Sequence, residues 1–333
     1  MEKKIKIRRI IDDSFWDKFV SNSIHGTVFS TSAWLKALAA VQGGQPRMLG
    51  IWEGDNLIAG VSFIEIIRGS LKKANTHVLA PYGGFIYKSD SDQLQPDTES
   101  LQFLCAEKLI NYLQRKYHYV FLVHVPAFID IRPFSWQNWK ESVRYTYLQE
   151  ISSIDKQWEK LRERAKRKIR KAENSLLLGG LITDEQIGDI YERIFHDHGR
   201  PLSVPRKTIV SLIKSLRESG LVELNTAQEK TGEVISVQVL AHDKNTVYSW
   251  FYGTIPEKKY TGADSLLMWD AIKRYSGTRK NLDMVGANIP SIAFFKKGFG
   301  GTLTPYYVTE RFSSSMAKTA FNTYSKIKGI FSR

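Results

Sequence analysis

The 333-residue chain is 42% hydrophobic and 12% aromatic, an ordinary globular composition with enough apolar residues for sizeable cores, and its length suits two domains of roughly 150 residues. A single cysteine, Cys105, excludes an internal disulfide framework and a Cys-rich zinc site and fits a reducing compartment. The opening "MEKKIKIRRIIDDS" lacks the apolar run of a signal peptide and no later stretch approaches the roughly 18–20 apolar residues of a membrane span, so the chain reads as cytoplasmic.

The net charge of +14 is uneven: residues 1–150 hold 18 Lys/Arg against 15 Asp/Glu, and the remainder 30 against 19. The second half therefore carries the electrostatic footprint of a phosphate-rich partner, whether nucleic acid, nucleotide cofactor, sugar nucleotide or anionic membrane.

In chain order, the first half opens with a strand over 4–9 and a helix over 12–22. A second helix follows, with N-cap candidates at Ser30 to Ser32, an apolar face of Trp34, Leu35, Leu38 and Val41, and a stop at Gly43-Gly44. A hairpin turns at Glu53 to Asn56, a polar loop covers 89–98, a helix spans 99–116, and "YVFLVHV" reads as a strand. The second half repeats this alternation. A basic helix spans 155–176, helices cover 184–196 and 206–219, three strands run from "LVELN" to "WFYGT", and "DSLLMWDAIKRYS" is a helix before the strand "NLDMVGA" and a last strand, "LTPYYVTERF". Alternating helices and strands define an α/β class, and the repeated order implies an internal duplication.

Two stretches invite a chemical reading. In "NIPSIAFFKKGFGG" (288–301), Lys296 and Lys297 stand among phenylalanines and glycines. Either lysine could hold a phosphate or stabilise an oxyanion, with Phe295 as a wall and Gly298, Gly300 and Gly301 admitting close backbone approach. The alternative is a capped helix turn with exposed lysines and core phenylalanines. In "EKKYTGAD", a loop with Gly262 opens a helix, offering backbone N–H groups and the positive helix end to an anion, with Lys258 and Lys259 adding charge. The alternative there is an ordinary turn capped by Asp264.

The stretches "RAKRKIRKAEN" (164–174), "YTGADSLLMWDAIK" (260–273) and "LDMVGANIPSIAFFKKGFGG" (282–301), with "FWDKFVSNSIHGTVFSTSAWLKAL" (15–38) in the first half, resemble the Fem-type peptidyltransferases and their BioF2-like GNAT acyltransferase relatives. The resemblance covers nearly the whole chain, and the 282–301 motif is its most specific part. It implies tandem GNAT-like domains, 1–150 and 151–333, of mixed sheets flanked by helices. It also implies transfer of an acyl or aminoacyl group, from acyl-CoA or aminoacyl-tRNA, to an amine on a cell-envelope precursor. The pattern of Phe-Lys before a Phe-Gly turn points to Lys296 as the catalytic lysine. One departure is that Asp264 takes the last position of "KYTGAD", where the pyrophosphate loop of acetyl-CoA enzymes has a small residue.

An attacking amine must lose a proton, so a base is required. Asp283 is the carboxylate candidate, and Tyr252 and Tyr260 are the phenol candidates; turn capping and core packing are the plainer explanations of each. In the first half, Trp34 and Tyr82 are the candidate substrate contacts. In "FHDHGRPLSVPRK", His196 and His198 would point about 200° apart on a helix, which argues against a metal site, and Arg200 is available for a carboxylate or phosphate.

The helix at 155–176 carries nine Lys/Arg between 156 and 171, either a solvated face or a contact for tRNA phosphates or membrane. Residues 313–333 pattern as a basic amphipathic helix suited to an anionic membrane or to the protein's own surface, and a lipid-linked acceptor would suit it. The reading from another class is a non-catalytic tRNA- or nucleic-acid-binding protein that keeps the fold.

Overall fold

The computed structural model describes residues 5–88, 96–151, 153–197 and 199–321. The expected amphipathic helix at the C-terminus therefore lies outside the described residues from 322 on, as does His198. The chain forms two compact units, one of residues up to Val143 together with those from Tyr306 on, the other Arg144–Pro305.

The first unit contains β1 (Ile5–Arg9), α1 (Asp13–Ser21), α2 (Ser32–Gln42), β2 (Gln45–Glu53), β3 (Asn56–Arg68), β4 (Leu71–Asn75), β5 (Gly84–Tyr87), α3 (Pro96–Lys116), β6 (Tyr119–Val123) and α4 (Arg132–Ser135). Local chemistry sets the first elements. Asp12 accepts the N–H of Phe15 at the start of α1, Thr31 accepts that of Trp34 at the start of α2, and Gly43, at φ 78°, ends α2. Strands β1 to β4 pair antiparallel in succession, with β5 against the other half of β3. The chain then crosses through α3, and β6 lies parallel to β4 from Lys73↔Tyr119 to Asn75↔Phe121.

The second unit follows the same plan with β7 (Lys140–Glu150), α5 (Ile154–Lys160), α6 (Glu163–Ser175), β8 (Leu176–Leu178), α7 (Asp184–Asp197), α8 (Arg206–Glu218), β9 (Val222–Glu229), β10 (Val234–His242), β11 (Thr246–Thr254), α9 (Ala263–Tyr275), β12 (Asn281–Asp283), α10 (Pro290–Lys296) and β13 (Thr302–Phe312). Here β8 to β11 are antiparallel in succession, α9 crosses, and β12 lies parallel to β11. The duplication is completed by an exchange. The strand that follows β6 in sequence, β7, pairs with β12 in the second unit, and the strand that follows β12, β13, pairs with β6 in the first. Thus the unit boundaries fall inside β7 and β13, whereas the sequence reading divides the chain at 150/151 and leaves the last strand in the second half.

The single basic helix expected over 155–176 is two helices. The N–H of Arg162 turns out of the helical ladder to the carbonyl of Gly298 at 2.9 Å, and Leu161 and Arg162 are extended. Beyond the break, Ala165, Ile169 and Ala172 keep the i, i+4, i+7 spacing that buries one face of α6, and the small alanines let α9 come close. In the second unit Ile169, Met268, Ile272, Leu282 and Phe299 share one core cluster. Each such side chain contributes roughly 1.5–3 kcal/mol by leaving water. Trp16, Phe29, Trp34, Phe63 and Phe85 anchor the first unit's core.

Candidate active site

The second unit's sheet opens where its parallel neighbours β11 and β12 part. β11 and β12 pair from Thr246↔Asn281 to Tyr248↔Asp283 and no further. Beyond that point β11 continues with β10 to Thr254, while the chain after β12 stays with β7, the N–H of Met284 donating to Tyr147 O at 3.0 Å. Two backbone edges therefore diverge, 249–254 on one side and 284–288 on the other. Val285 (φ 49°) and Gly286 (φ 74°) make a left-handed pair on the second edge. For a β-branched residue such as Val285 that conformation is strained.

Lys296, the last residue of α10, uses that pair. Its Nζ donates to Val285 O at 2.5 Å and to Gly286 O at 2.6 Å, and the residue is only 2% exposed. Burial pushes its pKa down to about 7, against the upward pull of the nearby Asp283 charge. Asp283, 1% exposed at the end of β12, accepts the Thr146 hydroxyl at 2.5 Å and the Val285 N–H at 2.8 Å through one oxygen, which also fixes the turn. The Tyr252 ring, from the diverging part of β11, lies 5.7 Å from Lys296 Nζ and 5.6 Å from the Phe295 ring, and Phe295 packs on the core residue Phe299 at 5.1 Å. Burial raises the Tyr252 phenol well above its ordinary value, with the Asp264 charge adding to the effect.

Four residues singled out in the sequence, Lys296, Asp283, Tyr252 and Phe295, thus meet in one place. As an ammonium, Lys296 has three N–H donors; two carbonyls take two of them and one remains for a substrate oxygen. As a neutral amine it would satisfy both carbonyls and keep a lone pair. Sequence reasoning missed Thr146, on the unread strand β7, and the Val285-Gly286 pair, of which only Gly286 carries a signal.

The remaining candidates are placed otherwise. Gly262 is the left-handed N-cap of α9 (φ 86°), and a Cβ there would come within 2.6 Å of the Lys168 carbonyl, so packing of the loop on α6 already requires glycine. The Asp264 carboxylate accepts the Ser265 N–H at 2.7 Å and stands 3.8 Å from Lys168, so the positive end of α9 already has a carboxylate. Tyr260 is 66% exposed, its carbonyl accepting from Lys171 Nζ at 3.2 Å. Lys259 is exposed and 3.8 Å from Asp197.

Lys297 is exposed, unlike its neighbour, and the Gly298 carbonyl receives Arg162 at the helix break. Gly300 (φ 81°) sits against α5, where a Cβ would meet Lys160 at 2.6 Å. Arg200 is exposed in the loop after α7. Trp34 and Tyr82 are core residues of the first unit, packed against Phe29, and neither presents a free face. Among the described residues no group of three or more His, Cys, Asp or Glu could hold a metal ion, and no helix is long and apolar enough to cross a membrane.

Comparison with known proteins bears on the fold that holds this site. Residues 159–296, which contain the parallel pair, α9 and Lys296, match the family model described as an acetyltransferase (GNAT) domain. No curated protein matches the chain. Among solved structures, FemX superposes with a TM-score of 0.68 at 10% identity, covering 91% of this chain and 96% of FemX. A tandem GNAT protein from the clavulanic acid biosynthesis pathway gives 0.50 at 10% identity over 93% of this chain and 99% of its own. L-PGS from Bacillus licheniformis gives 0.50 at 10% identity, covering 86% and 93%. The chain therefore shares its fold with FemX and with a tandem GNAT protein, and residues 159–296 of its second unit match a GNAT domain.

Proposed function

We propose that the chain transfers an acyl or aminoacyl group, carried by acyl-CoA or aminoacyl-tRNA, to an amine on a cell-envelope precursor, a peptidoglycan-type peptide or an amino sugar. The observation that carries this reading is the buried Lys296 amine, held by two carbonyls beside Asp283 where β11 and β12 part. In the reaction, the acceptor nitrogen bonds to the donor carbonyl carbon, the carbon–oxygen or carbon–sulfur bond of the carrier breaks, and the proton lost by the nitrogen ends on the departing oxygen or sulfur. Negative charge builds on the carbonyl oxygen between these events. The third N–H of the Lys296 ammonium suits that oxygen, and the Asp283 charge favours the protonated form of the lysine.

Likeness to FemX and to L-PGS in fold supports aminoacyl transfer, and the GNAT domain supports acyl-CoA. The carriers share phosphates, which suits the basic second half and the exposed cations Arg164, Arg167, Arg170 and Lys171 of α6. A lipid-linked acceptor at the inner face of a membrane would suit the basic amphipathic pattern of residues 313–333.

The test supplies radiolabelled acetyl-CoA or charged tRNA with each acceptor class and compares wild type with Lys296→Ala. Transfer by wild type and its loss in the variant is the expected result. No transfer in any combination, together with RNA binding abolished by charge reversal at Arg167, Arg170 and Lys171, would establish the non-catalytic binding reading instead.

A further inference from the structure

We propose that the first unit carries a binding site of its own, for a small phosphate ester with at least two negative charges, in the groove between α3 and β1. The groove is open to solvent and has a volume of about 670 Å³, within the roughly 300–1,000 Å³ typical of small-molecule sites.

Four cations line it: Lys108, Arg115 and Lys116 from α3 and Lys72 from β4. The helix positions are i, i+7 and i+8, so the three share one face and span about 12 Å of helix axis, the reach of two phosphates and their linkage. Helix-dipole complementarity accounts for Arg115 and Lys116, which lie in the last turn of α3. It does not account for Lys108, two turns earlier, or for Lys72 on a strand.

Among the described residues no carboxylate lines the groove and none makes an ion pair with any of the four. Glu65, which senses the charge of Lys116, is committed to Arg47 and to the Tyr117 hydroxyl. Glu107, beside Lys108 in sequence, is not part of the lining. An unmatched group of four cations in one concavity repels itself and is relieved by an anion.

The rest of the lining says what the anion is attached to. Ile5 and Ile7, two residues apart on β1, present the same apolar face, and Tyr112 adds a ring whose phenol oxygen accepts from Lys116 Nζ at 3.2 Å. A bare inorganic ion would leave that surface unused; an ester with an organic part would cover it.

The test is calorimetric titration of the full-length protein with inorganic pyrophosphate and then with ADP. Two double charge reversals are compared, Lys108→Glu/Arg115→Glu in the groove and Lys207→Glu/Lys214→Glu on α8, which change net charge equally and replace exposed side chains. The expected result is saturable binding weakened about tenfold or more by the groove variant and about twofold or less by the α8 variant. ADP binding tighter than pyrophosphate supports the ester; equal binding overturns it in favour of an inorganic anion. Absence of saturation, or equal loss in both variants, overturns the site. If pyrophosphate fails but phosphatidylglycerol vesicles or duplex RNA bind through the groove cations, the patch is a docking surface for a larger partner and the small-ligand proposal falls.

Discussion

Lys296 has a pKa of about 7, so near neutral pH it is shared between ammonium and amine. If the ammonium stabilises the oxyanion, kcat/KM falls as pH rises through about 7. In Lys296→Arg, which stays charged, that descending limb moves to higher pH or disappears; a rise through the same range would instead identify the neutral lysine as the base. Lys296→Ala should lower transfer by about two to three orders of magnitude, the usual effect of removing one oxyanion donor.

The same group gives a stability signature that needs no substrate. The folded pKa lies below the ordinary 10.5, so between about 7 and 10.5 the unfolded chain binds the proton that the folded chain does not, and stability rises with pH. Urea midpoints at pH 7 and 9.5 should therefore rise more in wild type than in Lys296→Met. Equal changes would mean that the lysine is not buried as described. The Phe-Lys pattern before the Gly-rich turn singled out Lys296, and the structure separates the two lysines, burying Lys296 and exposing Lys297. The cage around Lys296 was not legible in the sequence, because a left-handed Val285 runs against the preference of a β-branched residue and follows only from the tertiary hydrogen bonds around it.

The Gly-rich turn looks different once the helices beside it are seen. Gly300 and Gly262 have positive φ, and a Cβ at either would strike backbone of Lys160 or Lys168. Gly298 has no such constraint; its nearest neighbour would be the Ala165 Cβ at 3.6 Å. Gly262→Ala and Gly300→Ala should each cost about 1–3 kcal/mol in urea denaturation, and Gly298→Ala less than about 0.5 kcal/mol. A stable Gly298→Ala that loses transfer would show that ligand, not packing, comes close there. Conversely, a Gly262→Ala protein of unchanged stability would remove the packing explanation. Local patterning revealed α1, α2, α3 and the β9 to β11 meander because caps, turns and periodicity are short-range. The break between α5 and α6 was hidden, since it depends on a bond from Arg162 to Gly298, far away in sequence. Strands β4, β5, β7 and β8 were also unread; three of these four have five residues or fewer, and β7 is largely polar.

At the scale of the molecule, repeated element order made the duplication legible, but the exchange of β7 and β13 was not, because nothing local marks which β6-like strand an aromatic strand will join. One consequence of the division is testable with acid. His25, His77 and His124 are all buried in the first unit, and burial lowers their pKa to about 4, about 4 and about 3. His124 is enclosed by Phe85, Phe128 and Phe134, with Nε2 at 3.0 Å from the Thr309 hydroxyl on the exchanged strand β13. In the unfolded chain each ring takes a proton near 6.5, whereas in the folded unit it stays neutral until about 4 or below. Their contribution is complete above pH 6.5 and is lost progressively as pH falls from there toward the folded values, by up to about 1.4 kcal/mol per pH unit for each ring. Amide exchange at pH 5 should therefore be faster than at pH 7.5 in β6 and β13 after correction for intrinsic rates, and His25→Phe, in a site already walled by Tyr87 and Phe128, should reduce the pH slope by one ring's share. A slope unchanged in that variant would mean that His25 is protonated in the folded unit, and the acid sensitivity would then have to come from elsewhere in the core.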